Sequence, residues 1–167
     1  MWITMKLSTA STFILSGISL YFIARAQEGE FEKAFLALSI TSLLIVLIMG
    51  TLFFSAIVGL HTGIEDLFIK DTGDAVKSVV PGRPSVPTML CFMLIAAAGI
   101  LTTLNLAQLR PKLRAIGIIV GSVGTLAAAG YIFNAPFLYY FIPDVNSAMA
   151  CHTAIMFMLL GTGLICL

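Results

Sequence analysis

Apolar residues run along this chain in long blocks, separated by short polar stretches. A helix needs about 20 apolar residues to cross a bilayer core, and five blocks come near that length: Leu7–Ile23, Ala34–Leu60, Thr88–Gln108, Ala115–Asn134 and Cys151–Leu167. The pattern predicts an all-α, polytopic membrane bundle of about five transmembrane helices in a single membrane domain. The second block, about 40 Å long as a helix, must tilt or protrude. The first is the least apolar, with Ser8, Thr9, Ser11, Thr12, Ser16 and Ser19, but hydroxyl side chains can bond their own helix backbone inside a membrane. In the fourth, Gly117 and Gly121 form G-x-x-x-G and are followed by Gly124 and Ala128. Such a stripe reads either as a close helix contact or as glycine merely tolerated in a membrane helix.

The blocks also resemble one another. "PTMLCFMLIAAAGI" (87–100) aligned with "HTAIMFMLLGTGLI" (152–165) pairs identical residues at Thr88/Thr153, Phe92/Phe157, Met93/Met158, Leu94/Leu159 and Ile100/Ile165. Upstream, "GTL" at 50–52 recurs at 124–126, and "LFIKD" at 67–71 resembles "YFIPD" at 140–144. Residues 48–100 and 122–165 therefore read as two copies of one helical hairpin. Two spans separate the copies, so they share orientation about an axis along the membrane normal.

Composition agrees with the pattern. Hydrophobic residues make up 59% of the 167 positions and charged residues 10%, against roughly 25% charged in a soluble domain. Nine basic and eight acidic residues nearly cancel, which gives no footprint for nucleic acid. Charge placement orients the bundle. Arg25, Lys33, Arg110, Lys112 and Arg114 fall on one side, and Lys6, Lys70, Lys77 and Arg83 on the other. The short loops decide, because the bias acts near helix ends: "LRPKLR" is basic, while "APFLYYFIPDVNSAMA" has no cation. The N-terminus is thus expected outside and the C-terminus in the cytoplasm of a plasma membrane. Phe133, Phe137, Tyr139, Tyr140 and Phe141 would form an outer aromatic belt. The last block stops at "GLICL" without a charged anchor and reads as a chain continuing on the cytoplasmic side.

Candidate chemistry centres on His61 and His152, the two histidines, each followed by threonine. One closes the second span and the other opens the fifth, both at the outer interface. If the second and fifth helices were neighbours, the imidazoles could face each other as axial ligands of a haem b. Alternatively His61, Glu65 and Asp66 could join His152 in a mixed N/O site for a transition metal. Both could also be plain interface residues, or groups titrating near neutral pH. Glu65, Tyr139 and Tyr140 would border the pocket. Cys151 abuts His152 as a soft ligand or a small buried thiol. Thr102, Thr103 and Asn105 are polar positions expected to bond a neighbouring helix. Cys91, Cys151 and Cys166 have no metal-type spacing. No ionisable residue sits in mid-span, which argues against an ion pathway. Neither a phosphate loop nor a nucleophile constellation is evident, and no enzyme activity is expected of this chain.

"VVPGRPSVPTMLCFML" (79–94), preceded by "GIEDLF" (63–68), and "GYIFNAPFLYYFIPDVNSAMACHTAIMFMLLGTG" (130–163) resemble the N-terminal multi-pass membrane sensory input domains of bacterial and archaeal histidine kinases and diguanylate cyclases. The likeness covers about residues 48–165, with His152-Thr153-Ala154 as its most recognisable tripeptide. It implies a homodimeric input module that passes an outer-side stimulus to cytoplasmic kinase or cyclase domains downstream. The alternative from the histidines alone is a haem- or metal-binding subunit of a membrane electron-transfer complex.

Overall fold

A computed structural model describes residues 7–59, 84–104, 108–135 and 149–167. They form helices α1 (Leu7–Gln27), α2 (Phe31–Val58), α3 (Val86–Thr103), α4 (Leu109–Ile132) and α5 (Cys151–Cys166), with no strand among the described residues. The chain is an all-helical bundle. Four helices, α1 to α4, are long and apolar enough to cross a membrane, whereas α5 has 16 residues and falls short of that length.

Helix ends follow local chemistry. Gly29 takes φ 102 between α1 and α2, and Gly59 takes φ 71 to end α2, a left-handed conformation glycine adopts without a Cβ penalty. Ser85 caps α3, its hydroxyl accepting from the Thr88 N–H at 3.4 Å, with Pro87 in the first turn. The largest departure from the sequence expectation is α4, which begins at Leu109 rather than Ala115. Arg110, Lys112 and Arg114 therefore lie on helix, not in a loop. Pro111 permits this because the first turn of a helix has no use for the N–H that proline lacks.

The bundle has an apolar surface, and its largely apolar core also takes in hydroxyl side chains. Its outer surface carries Leu36, Leu43, Leu47, Phe54, Ile57, Ile118 and Leu159, while its interior buries Ser8, Thr12, Ser16, Ser19, Thr41, Ser42, Thr88, Thr102 and Thr153. That distribution suits hydrocarbon outside. Several interior hydroxyls bond within their own helix: Thr12 donates to Ser8 O and Ser16 to Thr12 O, each at 2.8 Å, whereas the Oγ atoms of Ser8 and Ser42 are buried without a partner among the described residues. Between α1 and α2, Ser19 Oγ donates to Thr41 Oγ1 at 2.8 Å. Thr102 and Thr103 donate to Ala98 O and Ile100 O of their own helix rather than to a neighbour. Asn105 lies outside the described residues.

α2 packs on α3 and α4 on α5, as two antiparallel hairpins. Along α2 the buried residues Leu38, Thr41, Ser42, Ile45, Met49, Leu52 and Ser55 match, one for one and at constant spacing, Leu113, Ile116, Gly117, Val120, Gly124, Ala127 and Gly130 of α4. This register pairs Met49, not Gly50, with Gly124, one residue away from the "GTL" match. One residue rotates a helix by about 100°, so burial distinguishes the two registers where sequence identity does not. α3 and α5 bury matching positions too: Thr88 and Thr153, Phe92 and Phe157, Ala96 and Gly161, Gly99 and Leu164. The residues preceding these helices, Ser85 (φ −68, ψ 149) and Ala150 (φ −70, ψ 148), share one backbone conformation.

α1 joins the hairpins. It packs on α2, α3 and α5, and its buried face of serine and threonine is narrow enough to enter the space between them. Its Phe13 meets Phe92 of α3 at 4.7 Å and Phe157 of α5 at 4.9 Å between ring centroids, and Phe92 and Phe157 lie 5.0 Å apart. The extensive contacts of α2 are with α1 and α3, and those of α5 with α4 and α1.

Candidate functional site

The contacts set a direction for every helix. α1, α3 and α5 run one way, and α2 and α4 the other. One end of the bundle thus gathers the start of α3, the end of α4 and the start of α5, where His152 lies. The opposite end gathers Arg25, Lys33, Arg110, Lys112 and Arg114.

At the His152 end, the first turn of α5 presents three residues in different settings. Cys151 is half-buried, His152 is exposed and Thr153 is buried. Thr153 lies one turn above Phe157, as Thr88 does above Phe92, so two threonines overlie the ring cluster in their own helices. Ser85 Oγ lies 2.6 Å from Thr88 Oγ1, which closes the α3 start into a hydroxyl pair. The segment entering α5 is fastened by Tyr131 of α4, whose hydroxyl donates to the Met149 carbonyl at 2.5 Å. Met149 and Ala150 are themselves buried. Tyr131→Phe is expected to cost about 1 kcal/mol, the usual worth of one such bond. Hydrogen-exchange mass spectrometry should find faster exchange at the start of α5, with the rest of α4 unchanged.

Of the residues proposed from sequence, His152 and Cys151 fall at this end. His61, Glu65, Asp66, Tyr139 and Tyr140 lie outside the described residues, so the paired-imidazole and mixed N/O arrangements involve positions not described. Among the described residues, no group of three His, Cys, Asp or Glu side chains is placed to hold a metal ion. In the predicted aromatic belt, Phe133 is 76% exposed just past α4; Phe137, Tyr139, Tyr140 and Phe141 are outside the described residues.

Sequence reasoning passed over Tyr131, Ser85 and Phe13, and it matched Phe92 with Phe157 as repeat positions without bringing the rings together. Ser85 had a readable signal, serine three residues before Thr88 with Pro87 between, the pattern of a helix start. Tyr131 was hidden among the aromatics around it. The ring cluster could not be read from spacing, because Phe13 comes from a helix outside the repeat.

The glycine stripe makes the α4–α5 contact. A Cβ built on Gly117 would lie 2.8 Å from Gly161 O, one on Gly124 2.7 Å from Ala154 O, and one on Gly161 2.6 Å from the Cα and N of Gly121. Real Cβ atoms do not come that near to backbone, so these backbones meet directly, as small-residue membrane contacts allow.

At the basic end, Arg25 is engaged in the α1–α2 turn, 3.4 Å from Glu28 and 2.9 Å from Glu30. Arg110, Lys112 and Arg114 are exposed on the first turns of α4 and have no ion pair among the described residues. No protein family, characterised protein or solved structure matches this chain.

Proposed function

We propose that this chain is a membrane-embedded sensory input module. Its His152 end would face outward, and its basic end would lie in the cytoplasm, where kinase or cyclase output domains of a homodimer would follow. The observation that carries this reading is the division of the bundle. Two closely packed hairpins, α2–α3 and α4–α5, are joined through α1 and its Phe13 contacts to both. Packed pairs move as bodies more readily than they deform, so such a division favours small rigid-body shifts. A stimulus engaging the start of α5 would tilt α4–α5 against α2–α3. For this to signal, the stimulus must bind the two arrangements unequally. The matching burial of the two hairpins supports a duplicated origin and a pseudo-twofold arrangement within the bundle.

The test is a fusion of the full chain to a diguanylate cyclase output domain, with cyclic dinucleotide formation measured in membranes. His152→Ala is expected to move basal output several-fold while leaving the amount of membrane protein unchanged. Output identical in the parent fusion, His152→Ala and Phe13→Leu would overturn the reading. An absorption spectrum of the same purified chain, oxidised and dithionite-reduced, separates the cofactor alternative. A Soret band lost in His152→Ala would replace ligand sensing with a haem-bearing subunit or haem-based input.

A further inference from the structure

We infer that the first turns of α4 hold the headgroup of an anionic phospholipid. The inference requires only that α4 crosses a bilayer, and it stands whether or not the chain senses anything. Arg110, Lys112 and Arg114 occupy the end of a helix long and apolar enough to span. All three are exposed, and none has an ion pair among the described residues, although three glutamates share this end of the bundle. Glu28 and Glu30 are turned to Arg25 in the α1–α2 connection. In a spanning α4 these three cations would lie at headgroup depth, with no ion-paired protein anion among the described residues.

Helix geometry places apolar surface directly below these charges. Arg110, Arg114 and Ile118 follow one another at intervals of four, which puts them on one face. Lys112, Ile119 and Leu126 are spaced by sevens, two turns apart, and make a second row. Ile118 is 59% exposed, and Ile119 and Leu126 are each 48% exposed. Each row thus runs from a cation at the helix end to an open apolar track about 6–10 Å deeper. That is the profile of a phospholipid, an anionic phosphate above an acyl chain. The start of a helix adds partial positive charge from its first N–H groups, and Gln108, which precedes α4, makes no side-chain capping bond to them. Guanidinium groups suit phosphate oxygens better than ammonium does, because they offer paired donors in one plane. Two of the three cations are arginine.

The experiment uses the full chain in nanodiscs of phosphatidylcholine containing a trace of spin-labelled phosphatidylglycerol or spin-labelled phosphatidylcholine. The motionally restricted fraction is read for each. The parent protein is expected to prefer phosphatidylglycerol by about fivefold or more, since one cation near an anionic surface contributes about that factor. The preference should vanish in R110Q/K112Q/R114Q and persist in R110K/R114K. It should also fall in the parent protein as salt is raised to about 1 M, where screening acts within ~3 Å. Replacing chloride by inorganic phosphate at equal ionic strength should leave it unchanged. Equal restriction of the two lipids by the parent protein would overturn the inference. So would a preference that survives the triple substitution or high salt, and so would displacement by phosphate, which would mean a free-anion site. If the triple variant fails to fold, the salt titration of the parent protein decides alone.

Discussion

Gly161→Leu is expected to be the most damaging single substitution in the α4–α5 hairpin. Already the first carbon of the new side chain would fall 2.6 Å from the Cα and N of Gly121 and 2.7 Å from Gly117 O. These are backbone atoms, so no rotamer change relieves the overlap, and the helices must separate. Separation would remove the other close contacts of the seam, at Gly117 and Gly124. Overpacking typically costs about 1–3 kcal/mol and more where nothing can yield, so a loss near the top of that range is expected. Gly17→Leu is the matched control, because nothing lies within 4 Å of a Cβ there. Size-exclusion after graded heating in detergent should show Gly161→Leu aggregating well below the parent protein and Gly17→Leu with it. Equal behaviour of the two variants would mean that the seam is not closely packed.

Phe92→Ala is expected to loosen the joint between the hairpins. Phe92 is fully buried and packs edge-on against Phe13 at 4.7 Å and, tilted, against Phe157 at 5.0 Å between ring centroids. Removing such a ring typically costs about 3–5 kcal/mol, through lost packing and the cavity left behind. Hydrocarbon gives no hydrophobic drive for helices to associate, so packing of this kind carries much of the cohesion. Phe157→Ala should cost a similar amount. The double variant should cost less than the two together, because residues in contact share the interaction that each single change removes. Additive losses in an SDS-unfolding titration would show that the three rings do not act as one cluster.

The helices were legible in the sequence for a simple reason: a bilayer sets their length, and apolar runs of that length are conspicuous. Their ends were less so. The basic "LRPKLR" looks like a loop by charge and by proline, yet it forms the first turns of α4, where proline's missing N–H costs nothing. The glycine stripe of α4 was visible, but its partner was not, since Gly161 has no distinguishing neighbours. Whether the stripe packed or was merely tolerated depended on which helix lay across from it. The place of α1 was the main surprise. Its serines and threonines suggested a weak span, whereas they are what lets the helix enter between two hairpins. The two histidines carried most of the functional expectation. His152 stands exposed at the start of α5, and His61 lies outside the described residues, so the pairing was an inference from helix adjacency. Among the described residues, the extensive contacts of α5 are with α4 and α1.

The claim on which the account turns is that the chain crosses a membrane with its His152 end outside and its basic end in the cytoplasm. Cysteine accessibility in cells tests it most directly. In a background with Cys91, Cys151 and Cys166 replaced by serine or alanine, single cysteines would be placed at Glu28, in the α1–α2 turn, and at Asn134, just past α4. A membrane-impermeant maleimide should label Asn134→Cys in intact cells and Glu28→Cys only after permeabilisation. Labelling of Glu28→Cys alone in intact cells would reverse the orientation and move the proposed stimulus to the cytoplasm. Labelling of both from the same side would contradict the spanning bundle itself.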